Sequence, residues 1–232
     1  MLRITQILDW KYVVTETVIV TIGVAMALSA DAWWDDRSDR AAESLYLRGL
    51  QQEFGTTAFD LEEEINSSAE SIVAIDELMD FMVSESVEAP LEVLQKMEVG
   101  FRTSVLRPVT ATYDDLVTSG NIGILRSDAL RIALAKWHAQ LENHRRLEDH
   151  ILAPLYLMTD EFMLQNVAVT EMFPANQALN APFDLNVSGL LADRQLWNLL
   201  VVRRTWAGNR RISLEELQKI LNRIQSLLDA EV

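Results

Sequence analysis

The sequence predicts an all-α protein, with one N-terminal transmembrane helix continuing into a long-helix antiparallel bundle. Three observations carry this. Tyr12 to Ala32 is a run of 21 residues that holds one charge, Glu16, before its far end. About 20 mostly apolar residues are what a helix needs to cross ~30 Å of hydrocarbon. Behind this run, apolar or small residues recur at alternating spacings of three and four over five heptads, from Leu47 to Met82. That is the stripe of a bundle or coiled-coil helix. Glycine (8) and proline (5) are scarce in 232 residues, which favours long helices over a turn-rich β fold.

The chain divides into a leader and anchor, residues 1–35, and an acidic α-helical bundle domain, residues 36–232. The second part is long enough for one domain with a sizeable core, or at most two small ones. Net charge is -15. A phosphate backbone demands a basic surface, so nucleic acid is excluded as a partner, and the domain is not expected to lie flat on anionic lipid. There is no cysteine, which removes disulfides, thiolate nucleophiles and zinc–cysteine sites together.

Trp10 and Tyr12 open the apolar run and Trp33 and Trp34 close it, as expected of interfacial aromatic belts. The competing reading is a signal peptide, with Val18 to Leu28 as its apolar core and Ala30-Asp31-Ala32 as a small-x-small cleavage site. A long, weakly basic leader, with Arg3 and Lys11 opposed by Asp9, favours a retained anchor. Arg37, Arg40 and Arg48 after the run nearly balance Arg3 and Lys11 before it, so the positive-inside rule is almost silent. The short leader points to a cytoplasmic N-terminus and a periplasmic domain, at a bacterial inner membrane. Glu16 has two readings. Either it snorkels to the headgroups, or it marks a helix–helix contact. Glu16, Val20, Gly23, Ala27 and Ala30 share one stripe, and Gly23-x-x-x-Ala27 is a small-x-x-x-small pair that lets two backbones approach closely.

The first soluble helix carries the stripe Leu50, Phe54, Ala58, Leu61, Ile65, Ser68, Ile72, Ile75, Met79 and Met82. From about Arg37 to Val83 it extends roughly 70 Å, as a direct continuation of the anchor, with Gly55 the candidate kink. Glu62, Glu63 and Glu64 point in three directions around it and read as a solvated face rather than a metal site. Ser84 to Pro90 is a polar break. Leu91 to Val99 reads as a short helix that Gly100 ends, and Phe101 to Val109 as a surface loop.

Thr110 to Arg126, TATYDDLVTSGNIGILR, is the most distinctive soluble stretch. Thr112 and Asp115 have capping-box spacing, so a short helix is expected to start there. Ser119-Gly120-Asn121 stops it, with Gly120 left-handed. Ile122, Ile124 and Leu125 turn into the core, and Ser127 or Asp128 caps the next helix. Neither a preceding strand nor a following lysine accompanies the glycines, so a phosphate loop is excluded. The second long helix has the stripe Leu134, Trp137, Leu141, His144, Leu147, Ile151, Leu155, Met158 and Phe162, with a kink expected at Pro154. His144 reads as a partly buried, hydrogen-bonded residue. His138 and His150 fall on other faces, so no metal pair forms. Val169 to Gly189 reads as an irregular connection. Asp193 starts the last helix, with the stripe Leu196, Leu200, Arg203, Ala207, Arg210, Leu214, Leu217, Leu221, Ile224 and Leu228. Ser213 and Glu216 mark a candidate fresh start within one bent helix. Its two arginines face either carboxylates of the first long helix or a solvated polar layer.

Glu16-Thr-Val-Ile-Val-Thr-Ile-Gly23-Val-Ala-Met-Ala27-Leu28, with Asp31 and Trp33, resembles the amino-terminal signature of a bacterial family of small single-pass membrane proteins, a domain of unknown function. Thr112-Tyr113-Asp114-Asp115-Leu116, then Ser119-Gly120-Asn121 and Leu125, is similar to its second signature. Departures are the exit Ala30, Asp31 and Ala32, where the family is richer in amides, and a less basic leader. The resemblance implies a retained anchor and no activity, cofactor or catalytic residue.

The functional expectation is a membrane-anchored helical interaction protein that self-associates or pairs with a partner membrane protein. The alternative is an extracytoplasmic sensor or ligand-binding bundle that signals through a partner. Catalysis is not expected, since no nucleophile or metal constellation is present. The acid–base candidates are Asp114, Asp115, His144 and Glu148.

Overall fold

The computed structural model describes residues 10–84, 90–167 and 186–231. Residues 85–89 of the expected Ser84–Pro90 break, residues 1–9 of the leader, and most of the connection from Val169 lie outside them. The described residues form α1 (Trp10–Val83), α2 (Pro90–Phe101), α3 (Ala111–Thr118), a 3-10 turn (Asn121–Ile124), α4 (Asp128–Asn166), α5 (Val187–Leu191) and α6 (Arg194–Glu231), with no strand among them.

α1 is a single helix of 74 residues, about 110 Å long at 1.5 Å per residue. It runs through Gly55 without interruption. Its N-terminal part contains an 18-residue window of mean hydropathy 1.9, none of it buried. By length and composition this part is sufficient to cross a membrane. Burial of the α1 stripe begins at Leu47 and includes Leu50, Phe54, Leu61, Ser68 and Ile75, with Leu78 alongside.

Side-chain contacts fix the bundle's register. Gln51 reaches Asp229, Gln225 reaches the Phe54 carbonyl, Arg210 reaches Glu64 and Arg204 reaches Asp76. α6 is therefore antiparallel to α1. Gln140 meets Glu216, His144 meets Ser213 and Thr159 meets Arg203, so α6 is antiparallel to α4 as well. All ten stripe residues of α6 are buried.

Two large apolar clusters fill most of the bundle, and a small third one joins Leu155 to Trp206 and Ala207. One of the large clusters joins Leu47 to Leu61, the α3 corner, the start of α4 and Leu214 to Leu228. The other joins Ile75 and Leu78 to α2, Phe162, α5 and Leu196 to Leu200. The polar residues of the α6 stripe lie between these two.

Several expectations are corrected. Gly100 does not end α2 but lies inside it. A Cβ there would sit 3.0 Å from Ile75 Cγ1, so the glycine serves close helix packing rather than termination. α3 starts before Thr112, and its N-cap residue is Thr110, which makes no side-chain cap. Gly120 is left-handed, φ 75°, as expected. Ser127 caps α4 by accepting from the Leu130 amide at 3.4 Å. Met158 is exposed and Thr159 is buried in its stead. Residues 187–189 belong to α5 rather than to an irregular connection. α6 continues through Ser213, whose hydroxyl faces His144 instead of capping a new start.

Candidate functional site

Two features have functional character: the unburied apolar segment of α1 and a charged layer inside the bundle. In the first, Glu16, Gly23, Ala27 and Ala30 are all exposed. At 100° per residue they fall within about a quarter of the helix circumference. Nothing lies within 4 Å of the position of a Gly23 Cβ. Three of the segment's hydroxyls turn inward on its own backbone. Thr17 donates to the Val13 carbonyl at 2.8 Å, Thr21 to Thr17 at 2.8 Å and Ser29 to Ala25 at 2.7 Å. Such bonds satisfy these hydroxyls without water. Trp10, Trp33 and Trp34 are exposed. Trp10 and Trp33 lie roughly 35 Å apart along the axis. The Tyr12 side chain lies outside the described residues.

The α3–α4 corner packs against α1 just beyond Trp34. The Arg126 amide donates to Glu43 at 2.7 Å, and its guanidinium reaches Asp36 at 2.5 Å. Tyr46 donates to Asp115 at 2.9 Å and accepts from Asn121 at 3.2 Å. Higher up, buried Glu53 accepts from the backbone amides of Thr112 and Tyr113. A carboxylate from α1 thus caps the N-terminus of α3 across the fold, where the helix dipole favours negative charge. Tyr113 is held above the usual phenol range by its burial, with the Asp114 charge adding to it.

The charged layer joins α1, α4 and α6. Arg210, 3% exposed, donates to Glu148 at 2.9 Å, Ser68 at 2.9 Å and Glu64 at 2.6 Å. His144 is fully buried, its Nε2 3.1 Å from Glu148 and its Nδ1 3.0 Å from Ser213 Oγ. Burial pushes the Glu148 carboxyl up, but the His144 hydrogen bond and the charges of His144 and Arg210 together hold it below the ordinary carboxylate range. Next to this layer, buried Arg203 donates to the carbonyls of Gly100 and Phe101 and to the hydroxyls of Thr159 and Thr103. It therefore caps the C-terminus of α2, where the dipole favours a cation. Burial pushes its pKa down to about 10. The layer ties three helices together at one height and specifies their register, the best-attested use of buried charge.

Of the acid–base candidates, the structure brings His144 and Glu148 together. Asp114 accepts from the nearby Thr110 hydroxyl, and Asp115 from Tyr46 of α1. His138 stacks on Tyr113 at 5.6 Å. Arg210 does face a carboxylate of the first long helix, while Arg203 faces backbone carbonyls. Glu64, expected in a solvated acidic face, instead accepts from Arg210 and Ser104. Glu53 was also hidden in the sequence, since nothing local marks an acid that caps a helix 59 residues away.

No curated protein and no solved structure matches the chain. Residues 16–148 match a family of unknown function, a span that holds most of the apolar segment and the corner packed beside it. The chain belongs to that family, DUF6090.

Proposed function

We propose that the chain is a single-pass, membrane-anchored helical interaction protein that associates with itself through its membrane helix. One observation carries the reading: the apolar segment of α1 is unburied among the described residues and continues unbroken into the core of the bundle. Lipid covers most of that segment. The stripe of Glu16, Gly23, Ala27 and Ala30 is the face offered to a second copy, because small residues permit close backbone approach. The membrane is a bacterial inner membrane, with the N-terminus cytoplasmic and the bundle periplasmic. The reading includes no catalytic step.

The natural absence of cysteine provides the test. Single cysteines at Gly23 or Ala27 should form disulfide-linked dimers in native membranes. Cysteines at Val18 or Ile22, on the opposite side, should not. Equal yields on both sides, or none on either, would refute a specific contact.

The unbroken α1 also supports a second reading, a periplasmic ligand sensor. A rigid helix shared by bundle and membrane transmits any change in bundle packing to a partner. A metabolite that raises the melting temperature of the full chain supports this reading, and a broad thermal-shift screen without a hit counts against it.

A further inference from the structure

The bundle surface carries two complementary patches at one height. On α1, Phe59 is an exposed aromatic, 63% accessible. Asp60, Glu62 and Glu63 surround it, and none of the three forms an ion pair among the described residues. A large exposed aromatic ringed by unpaired acids is unusual on a helix whose other aromatic nearby, Phe54, packs edge-on against Trp137 in the core.

On the α4–α6 surface there is an open groove of about 430 Å³. Its floor is Ile132, Ala133 and Ile220, and its rim is Lys136, Lys219 and Arg223. Ile132 is 57% exposed. No carboxylate among the described residues pairs with any of the three cations. In a chain of net charge -15 with only 20 lysines and arginines, three cations gathered without an acid are a marked asymmetry.

The register places both patches at the same level. Gln225 meets Phe54 and Arg210 meets Glu64. Lys219 and Arg223 therefore lie level with about residues 55 to 58 of α1, within one turn of the height of Phe59. Copies anchored side by side in one bilayer and related by an axis along the membrane normal keep equal heights. The Phe59 patch of one copy then meets the groove of the next without any sliding.

We propose that the groove is the docking site for Phe59 of a second copy, with Asp60, Glu62 and Glu63 set against Lys136, Lys219 and Arg223. The aromatic fills an apolar floor and the charges form the rim, which is the general anatomy of a specific interface. This proposal rests on the self-association put forward above and names its soluble half. The rim makes the contact sensitive to salt.

The test uses full-length chains in native membranes. Two differently tagged variants are co-expressed, Phe59→Cys and Ile132→Cys. A disulfide-linked heterodimer is expected. Phe59→Ala should weaken association of the otherwise native chain about tenfold or more, as loss of an aromatic anchor does. Lys219→Glu with Arg223→Glu should lower association several-fold, and Glu62→Lys with Glu63→Lys in the partner should restore it. All of these side chains are exposed, so melting curves should stay close to native. Absence of the heterodimer while cysteines at Gly23 and Ala27 still cross-link would overturn this interface alone. Absence of both would overturn it together with self-association. Equal association of charge-reversed and restored pairs would remove the charge complementarity on which it stands.

Discussion

Replacing Arg210 by methionine tests the charged layer most severely. Arg210 and Glu148 are 3% and 2% exposed at their side chains. Removing the guanidinium strips Glu148 of one of its two partners and Glu64 of its ion pair. Breaking a buried pair from one side costs about 3–5 kcal/mol, because the remaining charge is left in a low dielectric. Glu64 is 16% exposed and keeps the Ser104 hydroxyl, and Glu148 keeps His144, so the lower end, about 3 kcal/mol, is expected. Urea unfolding of the full chain in detergent, followed by tryptophan fluorescence, measures it. Trp206 reports locally, since Arg210 lies 5.8 Å from its ring. Arg210→Met with Glu148→Met should recover at least half of the loss, because an apolar pair of similar volume carries no stranded charge. A cost below about 1 kcal/mol, the range of an exposed pair, would refute the claim that the layer is buried and coupled.

The same layer predicts pH dependence. Glu148 has a lower pKa folded than its ordinary 4.5. Its contribution is therefore full above about pH 4.5 and is lost as pH falls through the folded value. Arg210→Met should flatten this acid limb, and an unchanged limb would assign it to other carboxylates. Gly100→Ala should cost about 1–3 kcal/mol by overpacking, since the new Cβ would lie 3.0 Å from Cγ1 of Ile75, which is fully buried. Gly55→Ala, with nothing within 4 Å, should stabilise by about 0.5–1 kcal/mol, and melting curves of the two variants should diverge. Glu53→Ala should cost about 1–2 kcal/mol through the lost cap of α3 and speed amide exchange at Thr112 and Tyr113, whereas Glu53→Gln should retain part of the cap. Glu16→Gln should weaken cross-linking between cysteines at Gly23. Undiminished cross-linking would leave Glu16 as a side chain that snorkels to the headgroups.

The helices were legible because their signal is periodic and long. All ten stripe positions of α6 proved buried, and the α1 stripe runs from Leu47 as the spacing required. Gly120 and Ser127 were legible because turn and cap chemistry is local. What escaped depends on partners distant in sequence. Glu64 reads as polar surface and nothing local marks Glu53, and only the packing of α3, α4 and α6 shows them to be an ion-pair partner and a cap. Gly100 looked like a terminator because a glycine at a helix end and one at a helix crossing have the same sequence signature. Met158 and Thr159 exchanged places because Arg203 needs the threonine hydroxyl, a requirement that apolar periodicity does not encode. The charged layer itself was half visible, as two arginines interrupting an apolar stripe.

The central claim is self-association of a membrane-anchored bundle. Light scattering of the full chain, purified in mild detergent at low salt, tests it most directly. A protein mass of at least two chains, falling towards one when Gly23 and Ala27 are replaced by isoleucine, is the predicted result. A strict monomer at every concentration would contradict it.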